Sequence, residues 1–337
     1  MVPAPSAPVA FARTPLCSLA VLAVTLVCSA GLAAPAGVSV GELQAQPPKP
    51  PSSRSAVGMT ILPLVDHRRG FVLAGHRREP RKLRTYVYYP EVARPGATGG
   101  NGSPPSAAPD PYPLVVFAHG FEGTPATYAS LLHYWASAGF VVAAPLFPRT
   151  SLHAPGGPDE ADVVNQPADI SFVISSLLAL DGDSSSPLHA LIDPRRIAVA
   201  GHSDGAETAL AVVDARRLRD PRVRAGVIMS GAEMSGIGGY SFSAGAPLLA
   251  IQGTADALNE PRFTYAFFKA ARPPKYMLKL LGATHLAPYT SQQPQLRLVE
   301  RATTAFLAAY LAPAPMIPKS LLELATASPF AKLSADP

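Results

Sequence analysis

Residues Arg195 to Val213, RRIAVAGHSDGAETALAVV, constrain the fold more than any other stretch: an apolar strand breaks at glycine and restarts as a helix. Ile197, Val199 and Ala200 form the strand run, and Ala206, Ala209, Leu210, Val212 and Val213 recur at helical spacing. Between them stands Gly201-His202-Ser203-Asp204-Gly205, a G-x-S-x-G turn. A serine hydroxyl attacks a carbonyl only if it projects clear of the main chain, so a turn this tight strains the backbone at Ser203. Glycines 201 and 205 let strand and helix approach where a Cβ would collide. The helix N-terminus then aims unpaired N–H groups at any anion formed there. Ser203 is the candidate nucleophile.

Such a serine needs a base within hydrogen-bond reach and an acid to orient that base. On a strand-turn-helix scaffold the expected chain order is serine, acid, histidine. Of the eight histidines only His285 lies beyond the turn. It ends Leu281-Gly282-Ala283-Thr284-His285, past an apolar strand, where a loop can carry the imidazole over the carboxyl edge of a sheet. Asp256 ends the run from Pro247 and has the same placement, so it is the expected acid; Glu233, after the preceding strand, competes with it. A developing oxyanion needs preorganised donors. The Asp204 N–H follows the nucleophile, and the Phe121 N–H comes from the loop His119-Gly120-Phe121. Phe121 and His202 are candidate substrate contacts, and His119 and His202 also read as supports of their turns. The Asp204 carboxylate is expected to face solvent, where it would raise the basicity of His285.

The rest of the chain supplies the scaffold. Met59 to Leu64 and Leu83 to Tyr89 read as an antiparallel edge, followed by a Gly-, Pro- and Ser-rich loop from Ala93 to Pro111. Leu114 to Ala118, a helix carrying Tyr128, Leu131, Leu132 and Trp135, and Phe140 to Ala144 make a strand-helix-strand unit, which implies parallel pairing. A helix from Asp162 to Leu180 precedes the serine turn. Strands Val223 to Met229, Pro247 to Gln252 and Tyr276 to Leu281 follow it, with helices at Arg262 to Ala270 and Gln292 to Leu311. The pattern predicts an α/β fold, a mostly parallel twisted sheet of about eight strands with helices on both faces. Loops Phe147 to Gly157 and Ser235 to Gly245 are expected to shape the pocket.

Residues 1–36 have the form of a signal peptide: Arg13, an apolar run from Leu16 to Val27, then small residues. The run is short for a membrane anchor, although an uncleaved anchor is the alternative. Cleavage after Ala30, Ala33 or Ala36 is compatible with the sequence. Both cysteines, Cys17 and Cys28, fall in this segment, and the residues before Cys28 match a lipidation signal poorly. An exported mature chain would thus rely on core packing without disulfides. Residues 37–57 read as a disordered lead-in, 58–312 as the catalytic domain, and 313–337 as a Pro-rich tail. Its Leu321, Leu322 and Leu324 leave a short helix or disorder open. The net charge of +5 is dispersed over pairs such as Arg68-Arg69, Arg81-Lys82 and Arg216-Arg217, read as solvated surface. No basic run is interleaved with aromatics, so nucleic acid is not an expected partner. No metal-ligand spacing, calcium loop or nucleotide loop appears, and no cofactor is expected.

HGFEGTPATY, the helix Asn165 to Val173, AGHSDGAETAL, IQGTAD and LLGATH together resemble, in order and spacing, the dienelactone-hydrolase-like branch of the α/β-hydrolases. That branch grades into platelet-activating-factor acetylhydrolase, chlorophyllase and cutinase-type polyester hydrolases, and the resemblance covers roughly residues 58 to 312. It implies ester hydrolysis through an acyl-enzyme, with Ser203 attacking, His285 carrying the proton, Asp256 orienting it, and the Phe121 and Asp204 N–H groups forming the oxyanion hole. Dienelactone hydrolases use cysteine where this chain has Ser203, and Asp204 stands where many relatives carry an apolar residue or arginine. The expectation is a secreted, monomeric serine carboxylesterase, lipase- or polyesterase-like, acting on small or polymeric esters. Acyl transfer through the same triad and a non-catalytic binding protein on the same scaffold are the alternatives.

Overall fold

Strands that are apolar on both sides need cover on both faces of their sheet. The computed structural model describes residues 55–73, 78–91, 110–242, 246–326 and 328–337. The expected signal, nearly all of the lead-in and most of the Ala93 to Pro111 loop lie outside the described residues. The chain opens with strands β1 (Ala56–Val72), β2 (Arg78–Glu91) and β3 (Tyr112–Ala118), then helix α1 (Ala129–Ser137), β4 (Val141–Pro145) and α2 (Gln166–Asp181). The serine turn joins β5 (Ile192–His202) to α3 (Asp204–Asp214). After it come β6 (Val223–Met229), β7 (Leu248–Gly253), α4 (Pro261–Ala270), β8 (Lys275–Leu280), the single turn α5 (Ala287–Thr290) and α6 (Gln295–Tyr310). Helix α7 (Lys319–Thr326) and strand β9 (Ala331–Asp336) complete the order.

The described strands form one sheet in the order β1-β2-β4-β3-β5-β6-β7-β8-β9. Pairing is parallel from β4 through β8, and antiparallel at β1–β2, β2–β4 and β8–β9. Side chains alternate along each strand, so β3 sends Val115 and Phe117 to one face and Leu114 and Val116 to the other. The first face carries Tyr128, Trp135 and Phe306 under α1 and α6; the second carries Ile170, Val173 and Leu210 under α2 and α3. The run Glu160–Asp181 is long and apolar enough to cross a membrane by composition, yet Ile170, Val173, Ile174 and Leu177 are buried in this second cluster.

Two features depart from expectation. The sheet takes a ninth strand from the tail: Leu321 and Leu324 are buried on the first face, and β9 pairs with β8 from Lys275↔Asp336 to Leu280↔Ala331. Arg81, read as solvated surface, is instead 2% exposed. Its guanidinium is forked onto two carboxylates, donating to Asp162 at 2.9 and 2.7 Å and to Asp169 at 2.7 and 2.5 Å. Arg69 adds a second cation at 2.8 Å from Asp169. This cluster ties β2 to α2 and the turn before it. Breaking one side of a buried ion cluster strands the other charges, at a cost of about 3–5 kcal/mol. Arg81→Met should therefore lower unfolding free energy by about that amount, read as an earlier urea midpoint at unchanged slope.

Candidate active site

Crowding of main chain against main chain builds the site. A Cβ at Gly201 would run into the Gly205 carbonyl, and one at Gly205 into the Ala118 carbonyl. Strand β5, helix α3 and strand β3 can close to this distance only with glycine at both positions. The turn holds Ser203 at φ 57° and ψ −127°, a conformation costing a non-glycine residue about 1–3 kcal/mol. Ser203 N–H donates to Met229 O at 3.0 Å, and its carbonyl accepts from Ala206 N–H at 2.7 Å.

The expected partners converge on that hydroxyl. The Ser203 hydroxyl donates to His285 Nε2 at 2.9 Å, and His285 Nδ1–H donates to Asp256 Oδ2 at 2.8 Å. Asp256 is 3% exposed and its other oxygen accepts from Leu258 N–H at 3.0 Å and Asn259 N–H at 2.9 Å. Burial pushes its carboxyl up, but the His285 bond and charge, the Asn259 N–H and the Ser230 hydroxyl outweigh this and hold it below the usual range. Glu233, the competing acid, is exposed, and both His285 ring nitrogens are already engaged.

The sequence reading missed the second layer around this acid. Gln252, fully buried at the end of β7, donates to Asp256 Oδ2 at 3.2 Å and to Asn259 O at 3.1 Å. Asn259 Nδ2 donates to Gly231 O at 3.2 Å, and Thr264 Oγ1 lies 2.6 Å from Gln252 Oε1. A glutamine closing an otherwise apolar strand is the available signal.

On the opposite side, Gly120 abuts Ser203: a Cβ there would sit 3.0 Å from Ser203 Cβ. His119 is 1% exposed and holds this loop. Phe147 N–H donates to its Nε2 at 3.1 Å, so Nδ1 carries the proton and donates to Gly120 O at 2.9 Å. Burial lowers its pKa to about 4, keeping the ring neutral. Gly120 O also accepts from Gly123 N–H at 2.9 Å, and Glu122 N–H donates to Thr150 O at 2.8 Å. Pinning Gly120 O fixes the peptide plane that carries the Phe121 N–H, which finds no hydrogen-bond acceptor among the described residues. The Phe121 ring is half-buried.

Two expectations need correction. His202 is 1% exposed with both ring nitrogens bonded to protein, so it supports the site from within and does not contact substrate. Asp204 does not face open solvent. Its Oδ2 is enclosed and without a hydrogen-bond partner among the described residues. Burial first, then the charge of Glu160, raises its pKa from 3.8 to about 6. Glu207, one turn along α3, is raised from 4.5 to about 8 by burial, then by Asp204 and Glu160. An open recess of about 450 Å³ lies between the loops after β7 and β8, with Leu258, Leu286 and His285 among its walls. Residues 243–245 of the second expected pocket loop lie outside the described residues. Among the described residues, no group of three or more His, Cys, Asp or Glu could hold a metal ion.

A parallel sheet with helices on both faces, a serine on a glycine-flanked turn after its fifth strand, and an acid and histidine on later loops give this chain the architecture of an α/β-hydrolase. A chlorophyllase family model matches residues 104–220, spanning the Gly120 loop and the serine turn and ending before Asp256. The match supports an ester-cleaving hydrolase of the α/β-hydrolase type. No curated protein matches the chain.

Asp204 and Glu207 both bind protons more tightly folded than unfolded. Their contribution to stability is therefore full below the ordinary carboxylate range and is lost as pH rises through the folded values. Melting temperature should fall between about pH 5 and about pH 8, and Glu207→Gln should flatten that fall. An unchanged slope in the variant would show that Glu207 is not the titrating group.

Proposed function

We propose that the protein is an exported serine carboxylic-ester hydrolase working through an acyl-enzyme. The observation that carries this reading is the continuous chain Ser203 Oγ, His285 Nε2, His285 Nδ1, Asp256 Oδ2, with links of 2.9 and 2.8 Å. Ser203 attacks the ester carbonyl as His285 takes its proton. The Phe121 and Asp204 N–H groups receive the oxyanion, each such donor contributing about 10²- to 10³-fold in turnover. His285 then protonates the departing alcohol, and a water molecule activated by the same imidazole releases the acid. Asp256 stays ionised throughout and stabilises the imidazolium.

The recess beside His285 is open and mainly apolar, which suits an ester with an apolar portion, free or within a polymer. The carboxylates of Asp204 and Glu160 stand near the start of α3 and would disfavour an anionic acyl group. Export rests on residues 1–36, and amino-terminal sequencing of protein recovered outside the cytoplasm should begin just after Ala30, Ala33 or Ala36.

A fluorophosphonate probe should label the wild type and leave Ser203→Ala unlabelled. Serine, histidine and acid act as a unit, so His285→Ala should lose nearly as much nitrophenyl-ester turnover as Ser203→Ala, about 10⁴-fold or more. Near-normal rates in His285→Ala would reject the reading.

A further inference from the structure

A buried hydrogen-bond chain joins the loop beside the oxyanion site to the loop that carries the histidine. Gly120 N–H approaches the Tyr128 hydroxyl at 3.4 Å, Tyr128 Oη lies 2.8 Å from His202 Nδ1, and His202 Nε2 lies 2.8 Å from the main-chain oxygen of His285. Every proton on it can be assigned by elimination. A carbonyl oxygen only accepts, so His202 Nε2 must carry hydrogen. In a neutral ring Nδ1 is then bare and accepts, so Tyr128 donates to it. The Tyr128 oxygen is left to accept the Gly120 N–H. The ring stays neutral because burial, followed by the neighbouring charge of His285, lowers its pKa to about 3.

We propose that Tyr128 and His202 are positioning residues: a one-way chain, Gly120 N–H to Tyr128 to His202 Nε2–H to His285 C=O, fixes the catalytic imidazole relative to the oxyanion loop. This rests on the hydrolase reading above. The need for such a brace follows from the local backbone. His285 lies between β8 and the short α5, outside any strand or helix, and among the described residues the partner of its carbonyl is the His202 ring. The ring cannot drift, since it packs between those of His285 and Tyr289 at centroid distances of 4.7 and 4.8 Å. Tyr128 is equally confined, 2% exposed and 4.8 Å from Phe117. His202 directly precedes Ser203. The residue before the nucleophile thus reaches across and holds the base, which sets the 2.9 Å Ser203–His285 link from both ends.

The test has a spectroscopic and a kinetic arm. Nitrogen-15 spectra of the full chain at neutral pH, with the His202 signals identified by their loss in His202→Gln, should show the Nε2–H tautomer. An Nδ1–H or doubly protonated ring would overturn the proposal. In the kinetic arm, His202→Leu fills similar space without a donor, while His202→Gln keeps an N–H for the His285 carbonyl. Leucine should cost about 10²-fold in kcat with little change in KM, the size of effect expected from a small misplacement of the base. Glutamine should recover most of it. Equal losses in the two variants would reduce His202 to packing and overturn the proposal. If neither variant folds, the wild-type tautomer, identified by its coupling to the buried Tyr128 hydroxyl proton, decides alone. A wild type that is neither labelled by fluorophosphonate nor active on any ester would overturn the positioning role together with the hydrolase reading. An active wild type with the wrong tautomer would overturn the chain only.

Discussion

The contact on which the rest of this structure depends is between pieces of main chain. Gly201, Gly205 and Ala118 meet so closely that a single methyl group cannot be inserted between them. That closeness throws Ser203 into a positive-φ conformation and lifts its hydroxyl clear of the sheet. The strain of about 1–3 kcal/mol persists because β3, β5 and α3 are buried where they meet at the turn, at Ala118, Gly201 and Gly205, and none of them can retreat there. The geometry of the serine turn is therefore a product of core packing. The apolar layers above and below the sheet hold the turn shut, and the turn holds the serine out.

A second kind of order acts on the loops. The parallel sheet delivers the Gly120 loop, the serine turn, the Asp256 loop and the His285 loop to one edge, but it does not orient them. Buried side chains do that. Gln252, Asn259 and Thr264 lock Asp256, His119 locks the Gly120 peptide, and Tyr128 with His202 reaches the main chain of His285. The two histidines take opposite tautomers, each dictated by a main-chain group that can act only as donor or only as acceptor. Polar groups in such a core are costly unless fully paired, so each loop is held in one arrangement.

Much of this was legible in the chain itself. Strand and helix periods located every central element to within a few residues, because buried parallel strands are written as unbroken apolar runs. The Ser, Asp and His order followed from where those runs end. What stayed hidden lacks a periodic signature. Ala331 to Asp336 contains no β-branched residue and is a strand only because β8 offers it a free edge. Arg81 looks like any surface arginine until Asp162 and Asp169, about eighty residues on, are brought to it. The burial of Asp204 and the inward turn of His202 depend equally on neighbours distant in sequence.

Strand β9 also bears on how the His285 loop is held. The main chain of Leu281, four residues before His285, donates to Phe330 O, so the segment leading to His285 is tethered to the residue just ahead of β9. Among the described strands β9 is the furthest along the chain. The placement of His285 thus draws on a segment well beyond the Gly120, Ser203 and Asp256 loops, and loosening β9 would disturb the imidazole before it disturbed the serine turn.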